Sequence, residues 1–405
     1  MAGTNRVKES MTAAVAVVGG GPAGLVAAIA LKTAGIEALL IGPQPTDDHR
    51  TTALLAGSVT ALTTLGAWTG CVAHAAPLKA IRIVDDTRRL LRAPEVAFSA
   101  AEIGLDAFGY NIENRHLVAA LNARAAALQI PHLAAPALAV ASDAAGVGIK
   151  LAGGAVRVRL VIGADGQHSL CRAAAGIGTR RRDYPQTALT LNLAHERPHH
   201  DTATELHTET GPFTLVPLPG RRSSLVCVIE PVRAAELAKT DDVKLAAEIE
   251  RRAHSLLGPM IVEPGRGLFP LAVETALVLA RERIALVGEA AHVVPPIGAQ
   301  GLNLGLRDAA TLAEIVAAAR RQNADIGSPA VLARYDAQRR ADVVSRTVAI
   351  DLLNRSLLTD FFALHGIRGL SFHLVDRIGP LRRALMREGV TPAVSQPRLM
   401  RGEMV

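Results

Sequence analysis

Ala14 to Val18 form an unbroken apolar run of strand length, cut off by Gly19-Gly20-Gly21-Pro22. Pro22 to about Ala34 is rich in Ala and Leu and predicts a helix, because Pro suits a first helical position, where no N–H is needed. A second apolar run, Glu37 to Ile41, completes a predicted βαβ unit. Two further apolar runs end in turns of small and acidic residues. One is Leu160-Val161-Ile162-Gly163-Ala164-Asp165-Gly166; the other is Ile284 to Val287, followed by Gly288-Glu289-Ala290-Ala291-His292. Each reads as a strand that delivers a ligand contact at its carboxyl end. Thr187 to Glu230 has more β-branched residues and turn signals, including Gly211-Pro212 and Pro217-Leu218-Pro219-Gly220, and no helical period. It predicts a mostly antiparallel inserted sheet. From Gln300 to the C-terminus the pattern is helical, with Leu302, Leu306, Ala309, Ala310 and Ala313 on one face.

The stretch Thr12 to Leu31 is uncharged and follows Arg6 and Lys8, the outline of a signal peptide or membrane anchor. The glycines at 19 to 21 and Pro22 divide it into strand and helix, which favours the βαβ reading. The chain has 405 residues, enough at ~100–200 per domain for two to four domains. Apolar residues are 49% and charged residues 20%, values of an ordinary folded protein. The net charge of +7 favours anionic surfaces without naming one. Aromatics are only 3%, which argues against a base-stacking platform, so no nucleic-acid partner is expected. Three cysteines at 71, 171 and 227, none in a CxxC, argue against a disulfide framework or a thiolate metal site and favour a reducing cytoplasmic interior.

Gly19, Gly21 and Gly24 form a GxGxxG between two predicted strands. That setting calls for glycine three times: for a tight turn, for close approach of backbone to a pyrophosphate, and for helix-to-strand packing. Further motifs follow in order. They are Arg50 within Asp47-Asp48-His49-Arg50-Thr51-Thr52-Ala53-Leu54; Asn114 within Glu113-Asn114-Arg115-His116-Leu117; Asp165-Gly166; Gly288-Glu289-Ala290-Ala291-His292; and Pro295-Pro296-Ile297-Gly298-Ala299-Gln300-Gly301-Leu302-Asn303. As an ordered set these resemble the class A flavoprotein monooxygenases of the para-hydroxybenzoate hydroxylase fold, and within them the ubiquinone-biosynthesis aromatic hydroxylases.

The resemblance implies an α/β fold: an interrupted FAD-binding Rossmann-like domain with an inserted antiparallel β-sheet substrate domain and a C-terminal helical segment. The expected boundaries are FAD-binding at 1–75, 99–180 and 275–330, substrate domain at 76–98 and 181–274, and the helical segment at 331–405. It implies FAD contacts at Gly19, Gly21, Gly24, Arg50, Asn114, Asp165, Glu289, Pro296, Gly301, Leu302 and Asn303. It also implies reduction by NAD(P)H, O2 addition to give a flavin C4a-hydroperoxide, and oxygen transfer to a polyprenylated phenol. No side chain is singled out as catalytic and no metal is expected. Physically, the N–H groups of Gly301, Leu302 and Asn303 at a helix start would face the anionic edge of reduced flavin. Three positions depart from the family pattern: Gly42 stands where an acid usually binds the adenosine ribose, Glu289 replaces aspartate, and Gly298-Ala299 reverses the order of small residues.

Phe361, Phe362 and Phe372 lie among Leu364, Ile367, Leu370 and Leu374, and residues 361–405 hold seven Lys or Arg against three Asp or Glu. Such a segment suits an anionic bilayer, and peripheral contact with the inner face of a membrane is one expectation. Packing on its own domain, on a second subunit of a homodimer or within a biosynthetic complex is the other. Function also keeps two alternatives: an epoxidase or reductase of an isoprenoid double bond, and a non-catalytic flavin-binding accessory subunit, with Gly42 as an eroded contact.

His195-Glu196-Arg197-Pro198-His199 spells HExxH, which binds zinc only from a helix. Pro198 opposes that helix by ~3 kcal/mol. His292 is expected to bond the flavin loop rather than act as a base. Cys171 and Cys227 are expected to be buried hydrophobes, Arg180-Arg181-Arg182 a solvated loop, and Trp68 a core residue.

Overall fold

The computed structural model describes residues 13–43, 48–87, 94–296, 298–358, 379–390 and 396–405. The four apolar runs form the centre of a six-stranded sheet, in the order Ala280–Arg281, Ile284–Leu286, Leu160–Gly163, Val15–Val18, Ala38–Ile41, His132–Leu133. Neighbours are parallel except for the outermost pair Ala280–Arg281 and Ile284–Leu286. Strands covered on both faces must be apolar throughout, and all of Val15–Val18, Ala38–Ile41 and Leu160–Gly163 are buried.

The helix Pro22–Thr33 crosses between the first two strands and buries Leu25, Val26, Ile29 and Leu31. Each such side chain contributes roughly 1.5–3 kcal/mol of burial. The helix Gln300–Arg321 is buried almost all round rather than on the single face the sequence suggests. It lies against the Pro22–Thr33 helix on one side and the helix Pro329–Leu358 on the other. At the chain's end, a 3₁₀ turn at Arg398–Arg401 inserts Leu399 and Met400 into the same core.

The second large sheet has nine strands. Its path is His292–Val293, Gly267–Ala276, Thr179–His195, Arg222–Ile229, Gly211–Leu218, Thr202–Thr208, Ala80–Asp85, Val96–Ser99, and Met260–Val262 adds to Thr179–His195. All pairs are antiparallel but one, Thr202–Thr208 against Ala80–Asp85, which brings a distant segment into the sheet. The long strand Thr179–His195 bulges opposite Gly267–Ala276 between Asp183 and Thr187, around Pro185, which has no N–H for the ladder. Two helices not anticipated from the sequence, Pro231–Lys239 and Asp242–Arg252, pack Ala234, Leu237, Leu245 and Ile249 onto Leu189, Leu191, Phe213 and Leu225 of this sheet. Asp241 caps the second by accepting from the Lys244 N–H at 3.0 Å. A smaller sheet of Thr51–Leu55, Gly109–Glu113 and Ala75–Pro77 touches the strand Gly211–Leu218 on one side and the helix Gln300–Arg321 on the other, and so joins the two large sheets' layers.

Candidate active site

The parallel strands end in step. The Gly19 N–H donates to the Ile41 carbonyl at 2.8 Å, the Ala164 N–H to Val18 at 2.8 Å, and the Val287 N–H to Gly163 at 2.9 Å. The turns after all three strands therefore meet on the carboxyl edge of the sheet, where open α/β sheets bind ligands. Gly19 has φ +122°, and a Cβ there would lie 2.1 Å from the Ala164 oxygen. A Cβ at Gly24 would lie 2.2 Å from the Gly19 oxygen. At Gly21 a Cβ would meet nothing within 4 Å. Gly21 offers no side-chain cap and Pro22 follows, so the first-turn N–H groups of the helix open onto that space. This cradle fits a diphosphate.

Gly42 has φ +140°, the region that side chains avoid, and its peptide is engaged on both sides: its N–H donates to Leu133 at 3.0 Å and its carbonyl accepts from His132 Nε2 at 2.8 Å. An acid at this position would strain the backbone.

Arg50 and Asn114 are brought together by a residue the sequence reading did not credit, Asp48. Arg50 Nε and Nη2 donate to the two carboxylate oxygens of Asp48 at 2.8 and 2.6 Å, a fork-to-fork pair. Asn114 Nδ2 donates to Asp48 Oδ2 at 3.0 Å, and Thr52 Oγ1 donates to Asn114 Oδ1 at 2.7 Å. Burial opposes ionisation of Asp48, but the hydrogen bonds from Arg50 and Asn114 outweigh it and hold the carboxyl below its ordinary value. The Asp48 bond and, more weakly, the charge of Glu289 raise the Arg50 guanidinium. Glu289 projects exposed from the turn Gly288–Ala290 toward the same region. The signal for Asp48 was its place two residues before Arg50, a spacing that suits a side chain folding back.

Asp165 is engaged within its own turn. Ser169 Oγ donates to Asp165 Oδ1 at 2.6 Å, the Cys171 N–H donates to Oδ2 at 3.0 Å, and Ser169 caps the short helix Leu170–Ala174. A flavin contact by this carboxylate would use its remaining lone pairs. His292 is fully buried and bonds a helix rather than the flavin loop: its Nε2 donates to Asp308 Oδ2 at 2.6 Å, and the Gly288 N–H donates to the same oxygen at 3.2 Å.

The helix Gln300–Arg321 begins after two successive left-handed residues, Gly298 at φ +64° and Ala299 at φ +54°. Its first turn leaves the N–H groups of Gly301, Leu302 and Asn303 without intrahelical acceptors. Gly301 is exposed and Leu302 half-buried. The Asn303 side chain, by contrast, is spent on the protein. Its Oδ1 accepts from the Leu55 N–H at 2.9 Å and Ser58 Oγ at 2.7 Å, and its Nδ2 donates to the Ala53 and Ala299 carbonyls at 2.8 and 2.5 Å. Only its backbone remains for a ligand. Pro296 is exposed at the loop's rim, and Ile297 lies outside the described residues. Gln300 Oε1 is buried without a hydrogen-bond partner. An orphaned acceptor at a bare helix start, on the same sheet edge as the glycine cradle, fits a dinucleotide that supplies both donor and acceptor groups.

Other sequence features resolve locally. His195 ends the strand Thr179–His195 rather than sitting on a helix. It bonds the Arg197 carbonyl at 2.8 Å and Ser223 Oγ at 3.0 Å, while His199 Nε2 donates to the Leu218 carbonyl at 3.0 Å. Arg180 to Arg182 lie on that same strand and not in a loop, with Arg181 paired to Asp183 and Glu274 and Arg182 to Asp351. All three cysteines are buried, and burial pushes the Cys71 and Cys227 thiols up to about 11. Trp68 packs edge-on against Tyr110 beside the core, ring centroids 5.3 Å apart. The aromatic stretch 361–374 lies outside the described residues; among those described, no helix is long and apolar enough to cross a membrane.

Together the sheet edge and its turns define a flavin-binding oxidoreductase. The family model described as "FAD binding domain" matches residues 12–350, and the chain belongs to that family, among the flavoprotein hydroxylases of ubiquinone biosynthesis. It is 37% identical to the ubiquinone hydroxylase UbiL of Rhodospirillum rubrum over 96% of this chain and 92% of that one. To the 3-demethoxyubiquinol 3-hydroxylase of Escherichia coli it is 31% identical, over 92% of this chain and 97% of the relative. The fold matches p-nitrophenol 4-monooxygenase PnpA from Pseudomonas putida with a TM-score of 0.77 at 19% identity, covering 93% and 97% of the two chains.

Proposed function

We propose that this chain hydroxylates a phenol ring of a polyprenylated ubiquinone precursor, with FAD as cofactor and NAD(P)H and O2 as co-substrates. The observation that carries the reading is the meeting, on one sheet edge, of the Gly19–Gly24 cradle, the Asp48–Arg50–Asn114 cluster, the Glu289 turn and the bare helix start at Gly301. Full-length similarity to hydroxylases of that pathway supports the substrate class. One oxygen atom enters the ring C–H as a hydroxyl, the other leaves as water, and NAD(P)H with one proton supplies the two electrons.

FAD held here would supply the hydride-accepting and O2-activating chemistry. The chain's own residues bind and orient it. Gly19, Gly21 and Gly24 would let the backbone approach the diphosphate, Arg50 and Asn114 would fix the loop beside it, and Asp165 and Glu289 would accept from its sugar and ribityl hydroxyls. Pro296 would border the ring. The N–H groups of Gly301, Leu302 and Asn303 would offset negative charge on the pyrimidine edge, an arrangement stronger in a water-poor site. Residues 361–405, with their excess of Arg, are proposed to bring the protein to the inner face of a membrane, where a polyprenylated substrate resides.

Mass spectrometry of lipids from the native host with this gene deleted tests the reading. Accumulation of a polyprenylated phenol lacking one ring hydroxyl, with less ubiquinone, is expected. An unchanged quinone profile in a host without a second ring hydroxylase overturns it.

A further inference from the structure

The turn Gly288–Ala290 and the start of the helix Gln300–Arg321 face the proposed flavin site from two sides, joined by a loop with two left-handed residues. Such a loop does not by itself fix their spacing. Eight residues into that helix stands Asp308, 0% exposed. Its Oδ2 accepts from the Gly288 N–H at 3.2 Å and from His292 Nε2 at 2.6 Å, the two ends of the turn that carries Glu289. Its Oδ1 accepts from Arg339 Nε at 2.7 Å, on the helix Pro329–Leu358. Arg339 in turn pairs with Asp342 at 2.6 Å, and Asp342 with Arg307 at 3.3 Å and Arg346 at 3.6 Å. Arg346 reaches Glu388 on the helix Gly379–Val390 at 3.0 Å. Asp308 thus faces the Arg339 guanidinium directly and accepts three hydrogen bonds, the local pairing that lets a buried carboxylate remain ionised.

We propose that Asp308 is a positioning residue that clamps the Gly288–His292 turn to the flavin-facing helix, so that the turn and the helix start reach the cofactor as one preformed body. The inference rests on the reading of this edge as the FAD site. Asp308 touches no ligand itself; it acts through the Gly288 peptide and the His292 ring. Its second oxygen, held by Arg339, anchors the clamp to the C-terminal helices. In Asp308→Asn, the remaining carbonyl oxygen satisfies Arg339 and turns the amide NH2 toward the turn, donor against donor at the Gly288 N–H, and keeps His292 only if its ring proton moves to the unpartnered Nδ1. Alternatively the carbonyl faces the turn and the amide faces a buried guanidinium. Either way one side of the clamp is lost without a change of volume.

The test measures the apo protein first. Hydrogen exchange in Asp308→Asn is expected to speed up at least tenfold across residues 284–293, and FAD, titrated by fluorescence quenching, to bind at least tenfold more weakly. Leu245→Ala, a cavity in the substrate sheet's helix layer, serves as the control: it lowers Tm but leaves exchange at 284–293 and FAD affinity within threefold of wild type. If Asp308→Asn lowers Tm while both readouts stay within threefold, Asp308 is a packing residue only and the proposal fails. Should that variant not fold, His292→Asn decides, because it leaves the Asp308–Arg339 pair intact: faster exchange at Gly288 supports the clamp, and unchanged exchange overturns it. A wild-type protein that binds no FAD would instead sink the reading of the site, while the exchange result still judges the clamp.

Discussion

Gly24 faces the carbonyl oxygen of Gly19 so closely that a Cβ at 24 would lie 2.2 Å away, whereas a Cβ at Gly21, three residues earlier, would meet nothing within 4 Å. The two glycines are therefore required for different reasons, one by the protein and the other by the ligand. Gly24→Ala is expected to destabilise the apo protein by ~1–3 kcal/mol, the usual range for overpacking. Gly21→Ala keeps an extended backbone that alanine accepts (φ −75°, ψ 172°), and its apo stability should stay within about 1 kcal/mol of wild type. Its FAD affinity should nonetheless fall at least tenfold, because the new methyl occupies the space left for the diphosphate. Thermal melts of the apo proteins and flavin titrations separate the two outcomes; tight FAD binding by Gly21→Ala would refute the cradle.

Asp48 holds Arg50 and Asn114 in one cluster and is itself partly exposed. Asp48→Ala leaves the Asn114 side chain held only by Thr52 and removes both hydrogen bonds from the Arg50 guanidinium, which must then be ordered anew by each cofactor that binds. The expected result is FAD affinity about tenfold weaker, on the order of the 1–2 kcal/mol that ordering a long side chain costs, with Tm little changed. Asp48→Asn keeps the acceptor oxygen and should fall between the two. Equal affinity in all three proteins would remove Asp48 from the site.

The parts legible in the sequence were those where one local rule decides. Uniformly apolar runs such as Val15–Val18 have no stable place but a doubly covered strand, and the three fingerprint glycines each meet a contact or an open space that explains them. Contacts set by tertiary structure were less visible. The parallel pairing of Ala80–Asp85 with Thr202–Thr208 joins segments over a hundred residues apart and leaves no local trace; the family resemblance, not the residue pattern, puts 76–98 with the substrate sheet. The helix Asp242–Arg252 did have a signal, Asp241 before Leu245 and Ile249 at helical spacing, but the strands on either side overshadowed it. Asp308 follows Arg307 in the sequence as one of an ordinary charged pair on a helix, and only the fold shows that His292, sixteen residues earlier, stands beside it. Asn303 illustrates the reverse case: the motif marks it as a flavin contact, and the fold shows its side chain already committed to Ala53, Leu55, Ser58 and Ala299.

Ala299 occupies the left-handed region at φ +54°, ψ 32°, as the N-cap of the helix Gln300–Arg321. An L-residue with a Cβ is disfavoured there by roughly 1–2 kcal/mol, and glycine is not, although glycine gives back part of that through its freer unfolded state. Ala299→Gly is therefore expected to stabilise the protein by about 1 kcal/mol or slightly less, read as a higher urea midpoint with unchanged m. A lower midpoint would mean that the loop 294–300 relies on the alanine methyl for packing.

The acid limb of stability should carry the mark of Asp308. Burial alone would raise its pKa, but the neighbouring charges of His292 and Arg339 and their hydrogen bonds reverse the effect and hold it down at about 2, below the ordinary 3.8. A carboxyl with a depressed folded pKa stabilises the protein at every pH above its unfolded value. That contribution is lost as pH falls from about 4 through 2, where folding comes to require keeping the proton off. The loss attributable to Asp308 is on the order of 2 kcal/mol. Glu314 works in the opposite sense, since burial raises its pKa and its protonation on acidification favours the folded state. Denaturant unfolding between pH 5 and 2 should therefore show a steep fall in wild type at the acid end and a shallower one in Asp308→Asn, which has no proton to gain at that site. Parallel curves for the two proteins would show that Asp308 is not ionised in the folded state, and with it that Asp308 and Arg339 do not form an ion pair.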